Sequence, residues 1–193
     1  MKPQLILLAG PNGAGKSTFY DLYLRDAELP FLNADLVAAQ TGIDSFAAAR
    51  LLDALRNRMI DEGSGFITET VFSDPGGEKL AMLRKAVECG YDVTLIYIGL
   101  ASPALSEARV VQRTKYGGHD VPREKLAPRF ERSLKNLKAA LAVVPNIKIY
   151  DNSSPEQPYR LIATLRLGKI VQRMSGAIPA WLKQVLPTQR KSR

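Results

Sequence analysis

The sequence predicts a three-layer α/β domain built on a central, mainly parallel sheet. Three observations lead there. Apolar strand-like runs alternate with amphipathic helical stretches, the connections between them are short, and the first strand pattern breaks into a glycine-rich loop that opens a helix. Strands are expected near 5–9, 31–33, 66–69, 93–99 and 147–150, with helices near 15–24, 45–62, 77–89 and 103–114. Repetition of this kind joins parallel strands through right-handed crossovers.

The first strand is the clearest. Leu5, Ile6, Leu7 and Leu8 are consecutive apolar residues, which leaves no polar face and marks a strand covered on both sides. In the helix over 45–62, a 3.6-residue period sets Phe46, Ala49, Leu52, Leu55 and Met59 on one stripe, expected to pack in the core, with Arg50, Asp53, Asn57 and Asp61 elsewhere. Beyond KYGGHDVP a second long helix is expected over 123–143, too long and too polar in its first half for a simple crossover. Residues 104–143 therefore read as a helical lid, with Gly117 and Gly118 as its hinge. Past Tyr150, RLIATLRLGKIVQRM reads as a hairpin about a Leu-Gly turn, and IPAWLKQVL as a short helix with Pro179 in its first turn. These form a C-terminal unit over 155–186, and 187–193 reads as a solvated basic tail.

At 193 residues, 46% hydrophobic and 24% charged, the chain suits one domain over 1–193 with a substantial core. A single cysteine, Cys89, excludes a disulfide framework and a cysteine-based zinc site; it is expected to be a partly buried thiol at a helix end. No apolar segment approaches the length of a bilayer span and no signal-peptide pattern opens the chain, so no membrane role and a cytoplasmic location are expected. The net charge of +8 is uneven, with nine Lys or Arg against four Asp or Glu between residues 104 and 138. That segment needs an anionic partner. A nucleic-acid backbone or a nucleoside triphosphate would serve, and the glycine-rich loop already points to the second, so nucleic acid is not expected.

From Gly10 to Ser17 the spacing fits G-x-x-x-x-G-K-[ST], between a strand pattern and a helix pattern. Gly10, Pro11, Asn12, Gly13, Ala14 and Gly15 would wrap backbone N–H groups around phosphate, with Lys16 reaching the β and γ oxygens and Ser17 offering its hydroxyl to Mg²⁺. Thr18 completes the segment, and the helix that starts here aims the positive end of its dipole at the phosphates. The chain is thus expected to be a P-loop NTPase that binds ATP and Mg²⁺.

Among P-loop classes, a transporter-type ATPase would carry an LSGGQ-like signature and an apolar strand ending in Asp-Glu, and a GTPase an Asn-Lys-x-Asp motif; the sequence has none of these. A small-molecule kinase needs a carboxylate for the acceptor hydroxyl and arginines to neutralise the transferring phosphoryl group. Asp35, just past the second strand, and Glu69, at the end of the third, would both face the ligand crevice. Either could instead cap a helix or sit solvated. Arg113, Arg129 and Arg132 are the arginine candidates, with a salt-bridged solvent face as the alternative because Glu124 and Glu131 lie nearby. His119 is read as fixing a turn or touching a phosphate, and Asp151 as structural or adenine-side rather than a magnesium carboxylate.

The segments GPNGAGKST, NAD, TET, GGHDVP and DNS together resemble the zeta-toxin family of P-loop kinases, in its short bacterial form, over residues 5–153. The resemblance implies an ATP-dependent kinase that phosphorylates the 3'-hydroxyl of UDP-N-acetylglucosamine, with an antitoxin protein as partner. It implies Asp35 as catalytic base, Lys16 as phosphate lysine and Arg132 as a transition-state arginine, with Asn33, Glu69 and Thr70 on the substrate. Kinases for another nucleoside, sugar or antibiotic, and a nucleotide-gated binding protein without turnover, are the alternatives.

Overall fold

A computed structural model describes residues 2–115, 121–174 and 176–186. His119, the Gly117 and Gly118 hinge and the 187–193 tail lie outside the described residues. The chain forms β1 (Gln4–Ala9), α1 (Lys16–Tyr23), a one-turn 3-10 helix (Arg25–Ala27), β2 (Phe31–Leu32), α2 (Ala34–Thr41) and α3 (Ser45–Asp61). It continues through β3 (Phe66–Thr70), α4 (Glu78–Glu88), β4 (Asp92–Gly99), α5 (Pro103–Thr114) and α6 (Arg123–Ala140). It then runs through β5 (Asn146–Asp151), β6 (Arg160–Arg166), β7 (Lys169–Arg173) and α7 (Ala180–Lys183).

Among the described residues seven strands make one sheet in the order β2-β3-β1-β4-β5-β6-β7. The first five are parallel and the last two add antiparallel, through the expected hairpin. The apolar run of β1 lies at the centre, flanked by β3 and β4, and Leu5, Leu7 and Leu8 have no solvent exposure. The core continues through Phe66, Leu95, Ile98 and Ile149 and is covered by Phe19, Leu83 and Leu137 from the helices. Because the five parallel strands end at the same edge, the loops after β1, β2 and β3 converge there. None of the described helices is long and apolar enough to cross a membrane.

Three local expectations need correction, and the packing of helix α6 is now placed. The strand near residue 31 ends at Leu32, because the Asn33 side chain accepts the backbone N–H groups of Asp35 and Leu36 and starts α2, a helix the sequence pattern did not signal. The core stripe of α3 runs through Ala48, Leu52, Arg56 and Ile60, while Phe46 is 72% exposed and Leu55 38%. Small and apolar residues wrap most of that helix, so periodicity alone admitted more than one stripe. In helix α6, Phe130, Leu134 and Leu137 belong to the main core. Only its outer end stands apart, where Leu126 meets Val110 and Val121 in a small separate cluster. Finally, Cys89 is exposed at the C-cap of α4.

Candidate active site

The loop between β1 and α1 closes on itself and on distant elements. Gly15, the N-cap of α1, has a φ of 86°, and a Cβ there would lie 2.7 Å from the Tyr159 hydroxyl and 2.8 Å from Asn152 Nδ2. Both neighbours hold the loop. Asn152 donates to the Ala14 carbonyl at 2.9 Å, Tyr159 Oη donates to the Gly15 carbonyl at 2.9 Å, and the Ser106 hydroxyl donates to the Asn12 carbonyl at 2.6 Å. The tight turn needs glycine, and segments more than ninety residues away hold it in shape.

Lys16 opens α1 and is 7% exposed. Its ammonium donates to the Pro11 carbonyl at 3.2 Å and lies 3.7 Å from Glu69 Oε1. Burial lowers the Lys16 pKa below the usual lysine value, and the charges of Glu69 and Asp35 oppose that shift. Glu69, in the strand next to β1, also accepts from the Ser17 hydroxyl at 3.0 Å and from Asn33 Nδ2 at 2.9 Å. This carboxylate therefore joins the P-loop lysine, the P-loop hydroxyl and the start of α2.

Asp35 follows one residue into α2 from its Asn33 cap and is exposed to the cleft that this arrangement encloses. The cleft measures about 170 Å³, and Lys16, Asn33, Asp35, Glu69, Thr70 and Arg113 all contribute to its walls. A second groove, lined by Gly13, Gly15, Thr18, Arg109, Asn152 and Tyr159, lies along the other side of the loop. Arg113, in the last turn of α5, borders both.

The three arginine candidates separate. Arg113 reaches the cleft. Arg132 is not among its lining residues; its Nε donates to the Ser73 carbonyl at 2.9 Å, and one turn along α6 Asn136 donates to the carbonyls of Phe72 and Asp74 at 3.0 and 3.1 Å. The two residues clasp the segment after β3, where Phe72 has a φ of 58°. Arg129 is half-buried on α6 and lines neither hollow. Asp151 accepts from Ser153, from Trp181 Nε1 at 3.3 Å and from Arg160 at 3.5 Å, which ties the hairpin and α7 to the end of β5.

Sequence reasoning missed two charged cleft residues, Arg56 and Lys79. One signal was available: Arg56 lies four residues after Leu52 and four before Ile60, so it occupies a core position of α3.

The donor set suits a phosphate chain and a hard cation. Ser17 and Glu69 offer oxygen ligands of the kind Mg²⁺ prefers, and Lys16 and the N-terminus of α1 suit anionic oxygens.

A sequence model of the family described as zeta toxin matches residues 38–160. An uncharacterized protein of Haemophilus influenzae is 31% identical over 124 residues, which is 62% of this chain and 86% of that protein. Among solved structures, one from the PezAT chromosomal toxin-antitoxin system of Streptococcus pneumoniae superposes with a TM-score of 0.61 at 19% identity, covering 84% of this chain and 71% of that one. The complex of AvrRxo1-ORF1 and -ORF2 with ATP gives 0.64 at 19% identity, covering all of this chain and 66% of its counterpart. The match spans well over half of the sequence, from the second helix to the start of β6, and the chain belongs to the zeta toxin family.

Proposed function

We propose that this protein is an ATP-dependent kinase that transfers the γ-phosphoryl group to a hydroxyl, with the 3'-hydroxyl of UDP-N-acetylglucosamine as acceptor. The observation that carries the reading is the position of Arg113, on the border between the nucleotide groove and a cleft that holds Lys16 and Asp35. A phosphoryl group passing from one hollow to the other would pass that guanidinium.

The roles follow from placement. Asp35 takes the proton of the acceptor hydroxyl as the bond to phosphorus forms. Lys16 and Arg113 hold the negative charge on the transferring group and on the leaving diphosphate. Mg²⁺, when bound with the nucleotide, neutralises phosphate charge. Ser17 would hold it, with Glu69 beside it, directly or through water; Glu69 is thus moved from the acceptor to the metal side, while Asn33 and Thr70 remain on the acceptor. Arg132 becomes a positioning residue that fixes the segment after β3. The toxin-antitoxin system named for one structural neighbour supports an antitoxin protein as partner.

Incubation with MgATP and UDP-N-acetylglucosamine, followed by mass spectrometry, should yield ADP and a singly phosphorylated sugar nucleotide. Lys16→Ala should abolish that product and weaken MgATP binding, since a charge-assisted hydrogen bond contributes about 1.5–3 kcal/mol. Unchanged turnover in Lys16→Ala would end the kinase reading. Activity on a different acceptor would retain it and replace only the sugar nucleotide.

A further inference from the structure

The cleft that holds Asp35 is also lined by two further cations, Arg56 of α3 and Lys79 of α4. Arg56 is 3% exposed, and its guanidinium is fixed from two sides: Nε donates to Thr68 Oγ1 at 2.7 Å and Nη1 to Asp53 Oδ1 at 2.6 Å. Thr68 in turn donates to the Leu32 carbonyl at 3.0 Å. The ammonium of Lys79 donates to the same Asp53 oxygen at 2.5 Å. One carboxylate therefore serves two cations. Asp74 also lies beside Lys79, but it accepts the backbone N–H, at 3.2 Å, and burial raises its pKa toward the neutral form.

We infer that Arg56 and Lys79 form an anion subsite, which receives a phosphate or carboxylate group carried by the acceptor whose hydroxyl meets Asp35. The identity of that ligand as the acceptor rests on the kinase reading above; the subsite itself rests on the cation pair. A buried ion pair is weak as a stabilising device, and an apolar side chain at a core position usually serves stability as well or better. Arg56 occupies such a position yet lines the cleft, with its plane held by Thr68 and Asp53. An orientation fixed in advance is what bidentate recognition of a planar or tetrahedral oxyanion requires. Asp53 is 43% exposed, so water can solvate its carboxylate when an anion takes its place on Arg56 Nη1 and Lys79, while Thr68 keeps Arg56 Nε in position.

Size narrows the class. At about 170 Å³ the cleft is smaller than the ~300–1,000 Å³ usual for a drug-sized ligand. The cleft therefore takes only the part of the acceptor that carries the reacting hydroxyl and the anionic group nearest to it, and the remainder lies outside. A neutral polyol would offer the two cations no charge of its own.

The test reads binding in saturating MgADP, where no phosphoryl transfer occurs and the P-loop is filled. Isothermal titration would use N-acetylglucosamine 1-phosphate and UDP-N-acetylglucosamine as phosphate probes, glucuronate as the carboxylate probe and N-acetylglucosamine as the neutral one. At least one anionic probe should bind at least roughly tenfold more tightly than the neutral sugar, a difference of the size a charged hydrogen bond contributes. Lys79→Gln should erase that advantage and Lys79→Arg retain most of it, with MgADP affinity unchanged in both. Lys79 is used because its ammonium is reached from the cleft, whereas Arg56 is packed in the core; Arg56→Lys with an intact circular dichroism spectrum serves as a second variant. Equal affinity for charged and neutral probes, no binding by any anionic probe, or an advantage that survives Lys79→Gln would each overturn the subsite. Failure of the product assay with the charge preference intact would replace the acceptor and keep the subsite.

Discussion

The P-loop and the wall of the cleft that faces it, the proposed nucleotide and acceptor sides, are built in opposite ways. On the nucleotide side, nine consecutive residues from Gly10 to Thr18 supply the loop, the lysine and the hydroxyl, and a strand and a helix define them locally. On the proposed acceptor side, Asn33, Asp35, Arg56, Thr70 and Lys79 come from α2, α3, β3, α4 and the turn before α2, and they meet only when the parallel sheet forms. Glu69 bridges the halves, since it contacts Ser17 on one side and Asn33 on the other. A contiguous loop recognises what every phosphate chain has in common. A dispersed wall can change one residue at a time, and on the proposed kinase reading it sets which alcohol is used.

Asp35→Asn should separate the halves most sharply. The change keeps the shape of the α2 start and removes basicity, so turnover should fall about 10²–10⁴-fold, while MgATP affinity, measured by titration, stays near wild type. Loss of nucleotide binding in that variant would mean the two sides are not independent.

Arg113→Ala tests the boundary between them. Removing a group that stabilises developing charge should lower kcat about 10²–10³-fold with a smaller change in KM for ATP. Arg132→Ala should instead lower stability by about 0.5–1.5 kcal/mol through the lost contact to Ser73, read by denaturant unfolding. The reverse pattern would return the transition-state role to α6.

The smallest contrast is within α3. Leu52→Ala should cost about 2–5 kcal/mol of stability, whereas Phe46→Ala should stay within about 0.5 kcal/mol because the ring is on the surface. Equal costs would restore the stripe that runs through Phe46.

These differences also set how much of the molecule was legible in the sequence. The P-loop, the five parallel strands and the C-terminal hairpin follow from short-range pattern: four apolar residues in a row, a glycine at the turn, strand-like runs about Leu167 and Gly168. Asp35 and Glu69 were found because strand ends in such sheets face the ligand. Arg56 and Lys79 were not, since a charge on a helix reads as solvated until packing shows which face is turned inward. Helix α2 escaped for a related reason: it depends on the Asn33 cap, and its eight residues carry no clear period. Arg132 was placed by resemblance, and the turn of α6 that ties it to Ser73 is a tertiary fact.

The Trp181 indole covers the end of β4 so closely that a Cβ on Gly99 would lie 2.2 Å from its ring, and its N–H meets Asp151, the neighbour of the Asn152 that holds the P-loop. It is also the one tryptophan in the sequence. The protein thus carries its own fluorophore at the junction between the C-terminal helix and the phosphate loop. Excitation at the red edge of the absorption band isolates it from the seven tyrosines. Its emission gives a label-free optical signal for whether filling the loop is felt at the far end of the chain.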